Sequence, residues 1–302
     1  MKRIIISAIA VILAMFMFAG LAEPGYAEGS APVAENLELE TYRGVSVGGK
    51  VSAYDPDGDA VSFEISTEPV KGSIELGEDG SFVYTPRENK RGRDCFGYRA
   101  TDSESNVSQE ATVIIRIEKQ KKDVFYSDMI GSADGYAAAV LSERGIFTGE
   151  QLGGIYCFSP DKTVSRGEFL SMCMQLSGEP VFSGVVSTGY ADDSEIPGWM
   201  KGFVATAAMC GIESGHGGEA GQVFDALSPI TRAEAAAMLD RALNVTRVSY
   251  VPLDSALDAD TAQACANLSA CGVDASGASG EALSRAAAAR MLSSALALLD
   301  RR

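Results

Sequence analysis

Histidine and tryptophan are nearly missing from this chain of 302 residues, which has one of each, His216 and Trp199. A Ser-His-Asp triad would have to use His216, and its Gly-rich loop supplies no partner for one. His216 therefore reads as an exposed loop residue. Cysteine is scarce and unpatterned. Cys95, Cys157, Cys173, Cys210, Cys265 and Cys271 show neither a CxxC metal spacing nor a paired framework, so free thiols are expected over bridges. Cys210 and Cys271 precede equivalent glycines and read as small buried apolar residues. Positive charge is also short. The 25 Lys and Arg face 41 Asp and Glu, which gives a formal charge of −16 and argues against nucleic acid or an anionic membrane surface as partner. An anionic ligand held at short range by local arginines stays open.

Beyond the first 27 residues, no apolar run is long enough to span a bilayer. Those first residues read as a secretory signal, 1–27. Lys2 and Arg3 open it, Ile4 to Ala19 is apolar, and small residues precede Ala22 and Ala27, either of which could end it. The alternative is an uncleaved anchor, but the run is short for one and no basic stop-transfer cluster follows. The expectation is a secreted protein with no membrane tether after signal cleavage.

Residues 31–118 read as β. Val45–Val47, Val51–Tyr54, Val61–Ile65, Ser81–Tyr84, Phe96–Arg99 and Thr112–Ile117 are short runs, several of them alternating. Gly48-Gly49, Asp57-Gly58, Asp79-Gly80 and Asn89–Gly92 separate them as turns. About seven strands in this length predict an antiparallel β-sandwich. Asp55, Asp57 and Asp59 crowd three carboxylates into one turn, which a cation such as calcium would relieve. The alternative is a solvated acidic turn bent by Asp57-Gly58. The charged stretch 119–123 reads as a linker that permits hinging.

Helical periodicity takes over from Val124. Tyr136–Glu143 and Trp199–Cys210 are first helices, stopped by Gly145 and Gly211. Phe169–Leu176, Ala235–Leu243 and Ala286–Leu299 are second helices. Thr231-Arg232-Ala233-Glu234 has the form of a capping box, with Thr231 and Glu234 bonding each other's amides. Arg232 does not suit that account, since a cation at a helix start opposes the dipole. Yet Ser165-Arg166 and Ser284-Arg285 repeat the arrangement. Arginine after a cap hydroxyl, three times, implies a partner outside the helix. That partner is either an anion, met by guanidinium and free amides together, or a neighbouring carboxylate. Gly145-Ile146 and Gly211-Ile212 precede the first two arginines by one spacing, and so do Phe158 and Phe224. The third copy keeps Gly272-Val273 on a shorter loop without that Phe. This is an internal repeat.

Two families are resembled. Asp55–Asp59, Lys71-Gly72-Ser73, Asp79–Pro86, Asp94–Tyr98 and Thr101-Asp102 are similar to bacterial cadherin-like and Ig-like domains. That resemblance implies calcium at Asp55, Asp57 and Asp59, with Asp102 nearby. The helical repeats resemble the S-layer homology (SLH) family, with copies at 124–180, 187–246 and 248–302, the last degenerate. The implied fold is an all-α pseudo-threefold module with grooves between repeats. The implied function is non-covalent attachment of an exported protein to the bacterial cell wall. Its partner would be an anionic, pyruvylated secondary wall polysaccharide on peptidoglycan, with the sandwich as outward spacer or adhesion module toward other surface proteins. Arg166 and Arg232 are the expected contacts, supported by Ser165 and Thr231, and Arg285 is the third candidate. Trp199 either stacks on a sugar or anchors the first helix. A lattice-forming S-layer protein is the alternative. An enzyme is not expected, because no stretch of catalytic-domain size is left over.

Overall fold

A computed structural model describes residues 29–213, 215–218, 221–249, 257–275 and 280–300. The expected signal lies outside the described residues. The chain divides into two compact units, with the boundary between Ala139 and Val140.

The first unit is the sandwich. Its strands are β1 (Val33–Ala34), β2 (Leu37–Tyr42), β3 (Val47–Lys50), β4 (Ala53–Tyr54), β5 (Ser62–Thr67), β6 (Gly72–Leu76), β7 (Ser81–Pro86), β8 (Gly92–Thr101) and β9 (Ala111–Glu118). One sheet has the order β2-β9-β8-β5 and the other β3-β7-β6, while β1 pairs with β4. Alternation sets the core. Ala111, Val113, Ile115 and Ile117 of β9 point inward with Phe96 and Tyr98 of β8, and meet Val47, Phe82 and Tyr84 of the other sheet. Each such large side chain contributes about 1.5–3 kcal/mol by leaving water. The Phe82 and Phe96 rings meet edge-on across the sandwich at 5.2 Å.

Two expectations are corrected here. The sandwich is not wholly antiparallel, because β2 runs parallel to β9 from Leu37 opposite Val113 to Tyr42 opposite Glu118. A parallel pair needs a long crossover, and the whole of the sandwich between the two strands supplies it. Gly48 and Gly49 are strand residues of β3, not a turn. A Cβ on Gly49 would run into the Phe82 ring, and one on Gly48 into Ala133, so close approach explains the glycines. The compact unit runs on past 119–123 to Ala139. Gly48 N donates to Ala133 O (2.9 Å), Gly131 N donates to Ser46 Oγ (3.0 Å), and Tyr136 stacks on Tyr42 at 5.4 Å.

The second unit begins inside α1 (Gly135–Arg144). It continues with β10 (Glu150–Leu152), β11 (Ile155–Cys157), α2 (Arg166–Ser177), α3 (Lys201–Cys210), β12 (His216–Gly218), β13 (Gly221–Val223), α4 (Arg232–Leu243), α5 (Ala259–Ala270) and α6 (Arg285–Asp300). The unit is therefore mixed rather than all-α, with β10–β11 and β12–β13 as short hairpins. Gly153 and Gly154, at φ 58° and 86°, make the first hairpin turn, which needs two positive φ values in a row. His216 lies on β12, exposed. None of the six cysteines is in a disulfide, but Cys210 is exposed and Cys271 half-buried rather than buried. Cys173 is the buried one, and burial pushes its thiol up.

Helix α5, which no cap spacing had disclosed, is capped by Asp258 through Asp260 N and Thr261 N. It is held to α4 by Asp240, whose oxygens accept from Asn267 Nδ2 at 3.1 and 3.3 Å. Burial pushes the Asp240 carboxyl up to about 6 from 3.8, against the pull of Asn267 and Arg241. The folded chain thus holds this proton more tightly than the unfolded one. The stability it contributes is complete below about pH 4 and is lost as pH rises through 6. Urea melts should show this loss in the wild type and not in Asp240→Asn.

Candidate functional site

The three helix starts of the second unit meet. Val164 N donates to Leu283 O (2.9 Å), Leu283 N to Ile230 O (2.8 Å), and Ile230 N to Val164 O (3.0 Å), which closes a ring. All three side chains are buried. Each stands just before a cap residue. Ser165 and Thr231 form full capping boxes with Glu168 and Glu234. Ser284 caps alone, through Ala287 N at 3.3 Å, because Ala287 replaces the glutamate.

Each arginine reaches from its own helix into the loop of the next segment around the ring. Arg166 Nε donates to Phe224 O (3.0 Å) and one terminal nitrogen to Glu234 Oε1 (2.8 Å), while the other lies 3.3 Å from Glu213 Oε2. Its guanidinium also stands 5.6 Å from the Phe224 ring centre. Arg232 donates to Asp274 Oδ2 (2.9 Å). Arg285 returns to the first segment, bonding Phe158 O (3.0 Å) and Glu150 Oε1 (2.8 Å) over the Phe147 ring. Arg166 and Arg285 are 7% and 5% exposed. Arg232 Nε is buried without a partner among the described residues, since the third segment lacks the Phe whose carbonyl serves Arg166 and Arg285.

The helix-start amides are occupied as well. Arg166 N and Gly167 N donate to Ser228 O and Ala226 O, Arg232 N to Glu281 O, and Arg285 N and Ala286 N to Lys162 O and Pro160 O. The expectation that arginines and free amides converge on an external anion is corrected. At the starts of α2 and α6 carbonyls and carboxylates of the neighbouring segment satisfy them instead, while Arg232 keeps Nε without a partner among the described residues. Glu234, expected to serve only its cap, gives Oε2 to Thr231 and Oε1 to Arg166.

Two of the expected contacts do share an open space. Ser165 and Trp199 line a groove of about 360 Å³ with Thr163, Glu168, Pro197, Met200, Leu227 and Pro229. Trp199 is 58% exposed, edge-on to Phe203 at 6.4 Å, so it is no buried anchor. Glu168, Leu227 and the two prolines belong to the groove although no motif marked them for it. Thr231 lies at the next helix start and does not line the groove.

The acidic turn of the first unit is held by its own backbone. Asp55 Oδ1 accepts from Asp57 N (2.9 Å) and Asp59 N (3.2 Å). Asp57 accepts from Ser30 N, and Asp59 from Ser103 Oγ. Asp102 organises a separate turn through Glu104 N, Asn106 N and Asn106 Nδ2, and these bonds hold its carboxyl below the usual range against burial, the largest single influence. No three acidic, His or Cys side chains among the described residues come together as a metal-holding group. Asp55 Oδ2 is buried without a partner among the described residues, in a residue 6% exposed. The four carboxylates expected to hold calcium are thus divided between two turns.

With this geometry established, family comparisons match two stretches that divide between residues 119 and 125, before the boundary of the compact units. The bacterial cadherin-like domain model matches residues 29–119, and the S-layer homology domain model matches residues 125–170. The chain carries a bacterial cadherin-like domain followed by an SLH domain. An SLH domain implies attachment at the cell surface. No helix among the described residues is long and apolar enough to cross a membrane. Among solved structures, similarity reaches an endo-fucoidan hydrolase of glycoside hydrolase family 107 (17% identity, 31% of this chain, 14% of that one, TM-score 0.26). It also reaches the SrpA adhesin of Streptococcus sanguinis (19%, 32%, 62%, 0.26) and human protocadherin-24 EC1-2 (18%, 30%, 53%, 0.24). This chain spans only 14% of the hydrolase, and similarity this low carries no function. Comparison with curated proteins finds no match.

Proposed function

We propose that residues 124–302 are three SLH repeats that hold an exported protein on the cell wall by binding a wall polysaccharide without a covalent bond. The SLH match over the first copy supports this, and so does the closed ring of Val164, Ile230 and Leu283, in which each copy donates to another. The observation that carries the reading is Trp199, an exposed indole face in a groove with hydroxyl and carboxylate neighbours, the surface on which a sugar ring stacks. The acid-bearing sugar expected from the arginines is left out, because Arg166 and Arg285 face into the fold. The cadherin-like domain is the outward spacer or adhesion module. The role is binding, not catalysis.

Trp199→Ala should lower retention on purified cell-wall sacculi by about 2 kcal/mol, roughly thirtyfold. Its melting temperature should stay near that of the wild type, since the ring is mostly in water. Retention equal to the wild type's would refute the groove.

On this reading the cadherin-like domain has no tight calcium site. A cation at the buried, unpartnered Asp55 Oδ2 would have to compete with Ser30 and Ser103 for the Asp57 and Asp59 carboxylates. Calorimetric titration should give no saturable heat below about 1 mM calcium. Saturation in the micromolar range would show that the turn rearranges into a cage.

A further inference from the structure

We propose that the cadherin-like domain has a contact site of its own, a basic patch of Lys71, Arg87, Lys90, Arg91 and Arg93 that docks an acidic polysaccharide. This goes beyond wall binding by the repeats and does not depend on it. The chain is short of positive charge, yet Arg87, Lys90, Arg91 and Arg93 fall within seven residues, against one exposed acid, Glu88. The fold adds Lys71. Arg87 N donates to Lys71 O (2.8 Å), Lys71 Nζ to Arg91 O (3.1 Å) and Lys90 N to Arg87 O (3.2 Å). The start of β6, the end of β7 and the start of β8 thus bring five cations to one end of the sandwich. Asp94 follows the patch, but it is 6% exposed and taken up by Val70 N, Lys71 N and Tyr84 OH. Arg87, Lys90, Arg91 and Arg93 are exposed and make no ion pair among the described residues, whereas Lys50 and Arg116 of the same unit pair with Asp79 and Glu38. Arg93 also stands directly across from Arg116 in the β8–β9 ladder, a like-charge pair that lowers stability. Glu38 answers Arg116, and an anion from outside would answer Arg93. The turns at the opposite end of these strands carry Asp57, Asp59, Glu78, Asp79 and Glu104. A polyanion is repelled there and attracted at the patch, so the unit meets it by one end. No aromatic side chain lies in 87–93 to stack on a base, and the net charge of −16 opposes binding along a duplex. A flexible glycan needs only the patch, where arginine forks take its carboxylates or sulfates by paired hydrogen bonds.

The full chain should be titrated by calorimetry with polygalacturonate, heparin and neutral dextran. The first carries carboxylates alone and the second adds sulfates, so the tighter of the two names the acid group. At least one of them should bind, and dextran should not. Raising salt from about 50 to 200 mM should weaken the binding at least tenfold. Arg91→Ser/Arg93→Ser should weaken it at least tenfold with the melting temperature unchanged, because both side chains are exposed. Lys50→Ser/Arg99→Ser removes the same charge elsewhere on the unit and should keep the wild-type affinity. Equal loss in both double variants would reduce the effect to net charge and overturn the patch. So would full affinity in Arg91→Ser/Arg93→Ser, or no saturable heat with either acidic glycan. Tighter binding to a DNA duplex than to both glycans would replace the glycan by nucleic acid. Trp199→Ala separates the patch from the groove, since it should keep the glycan affinity whether or not it loses sacculi retention. Lost glycan affinity in that variant would put the glycan in the groove and overturn the patch.

Discussion

Arg166→Ala should unfold much of the SLH-containing unit rather than only weaken binding. The guanidinium holds Glu213 and Glu234 and donates to Phe224 O. Without it, the Glu213 carboxylate, itself buried, loses its counter-charge, and a backbone carbonyl loses its donor. Removing one partner of a buried ion pair costs about 3–5 kcal/mol, a large share of the stability of a domain this size. Arg166→Lys should recover only part of this, because a point charge cannot occupy three acceptors in a fork. Thermal melts followed by near-ultraviolet circular dichroism would measure both. If Arg166→Ala kept the wild-type melting temperature and lost sacculi retention, the arginine would be a ligand contact after all, and the inter-segment tie would be wrong.

Asp94→Ala should be comparably damaging to the cadherin-like domain. Asp94 is 6% exposed and accepts from Val70 N (3.1 Å), Lys71 N (2.8 Å) and Tyr84 OH (2.7 Å). Alanine would leave three donors without acceptors, at about 1–3 kcal/mol for each that water cannot reach. The same burial, with the Asp94 hydrogen bond, pushes the Tyr84 hydroxyl far above its ordinary value, so it stays a donor at every pH the fold survives. Asp94→Asn should fall between, because the amide keeps one acceptor and sets a donor against the others. Chemical denaturation of the full chain would resolve the two variants as a shift of the first unit's transition alone. An unchanged transition in Asp94→Ala would mean that water reaches all three donors.

The capping boxes were legible because their chemistry is local. Ser165 with Glu168 and Thr231 with Glu234 need only neighbours three residues away, and Gly145 and Gly211 need only a positive φ, which both adopt. The anomaly of arginine at a helix start was legible too, and it correctly pointed beyond the helix. Its target was not. Arg166 meets Glu234 across 68 residues and Arg285 meets Phe158 across 127, and no local pattern states which of two acceptors of like charge fills a guanidinium fork. The alternation Leu37-Glu38-Leu39-Glu40 was a strand signal left unread. Gly48-Gly49 misled because glycine marks a turn and a close approach equally well, and only the Phe82 ring and Ala133 decide between them.

By itself, then, the sequence determined a β unit, a set of repeated helix starts, and the residue types at each start. Short-range hydrogen bonding and side-chain periodicity fix these within a few residues. Tertiary structure alone decided that the arginines tie one segment to the next and that the exposed indole shares its groove with a carboxylate rather than a cation. It also decided that Asp57 and Asp59 of the acidic turn meet Ser30 and Ser103. The arginine ties and the groove depend on groups far apart in sequence, which the ring of Val164, Ile230 and Leu283 brings together.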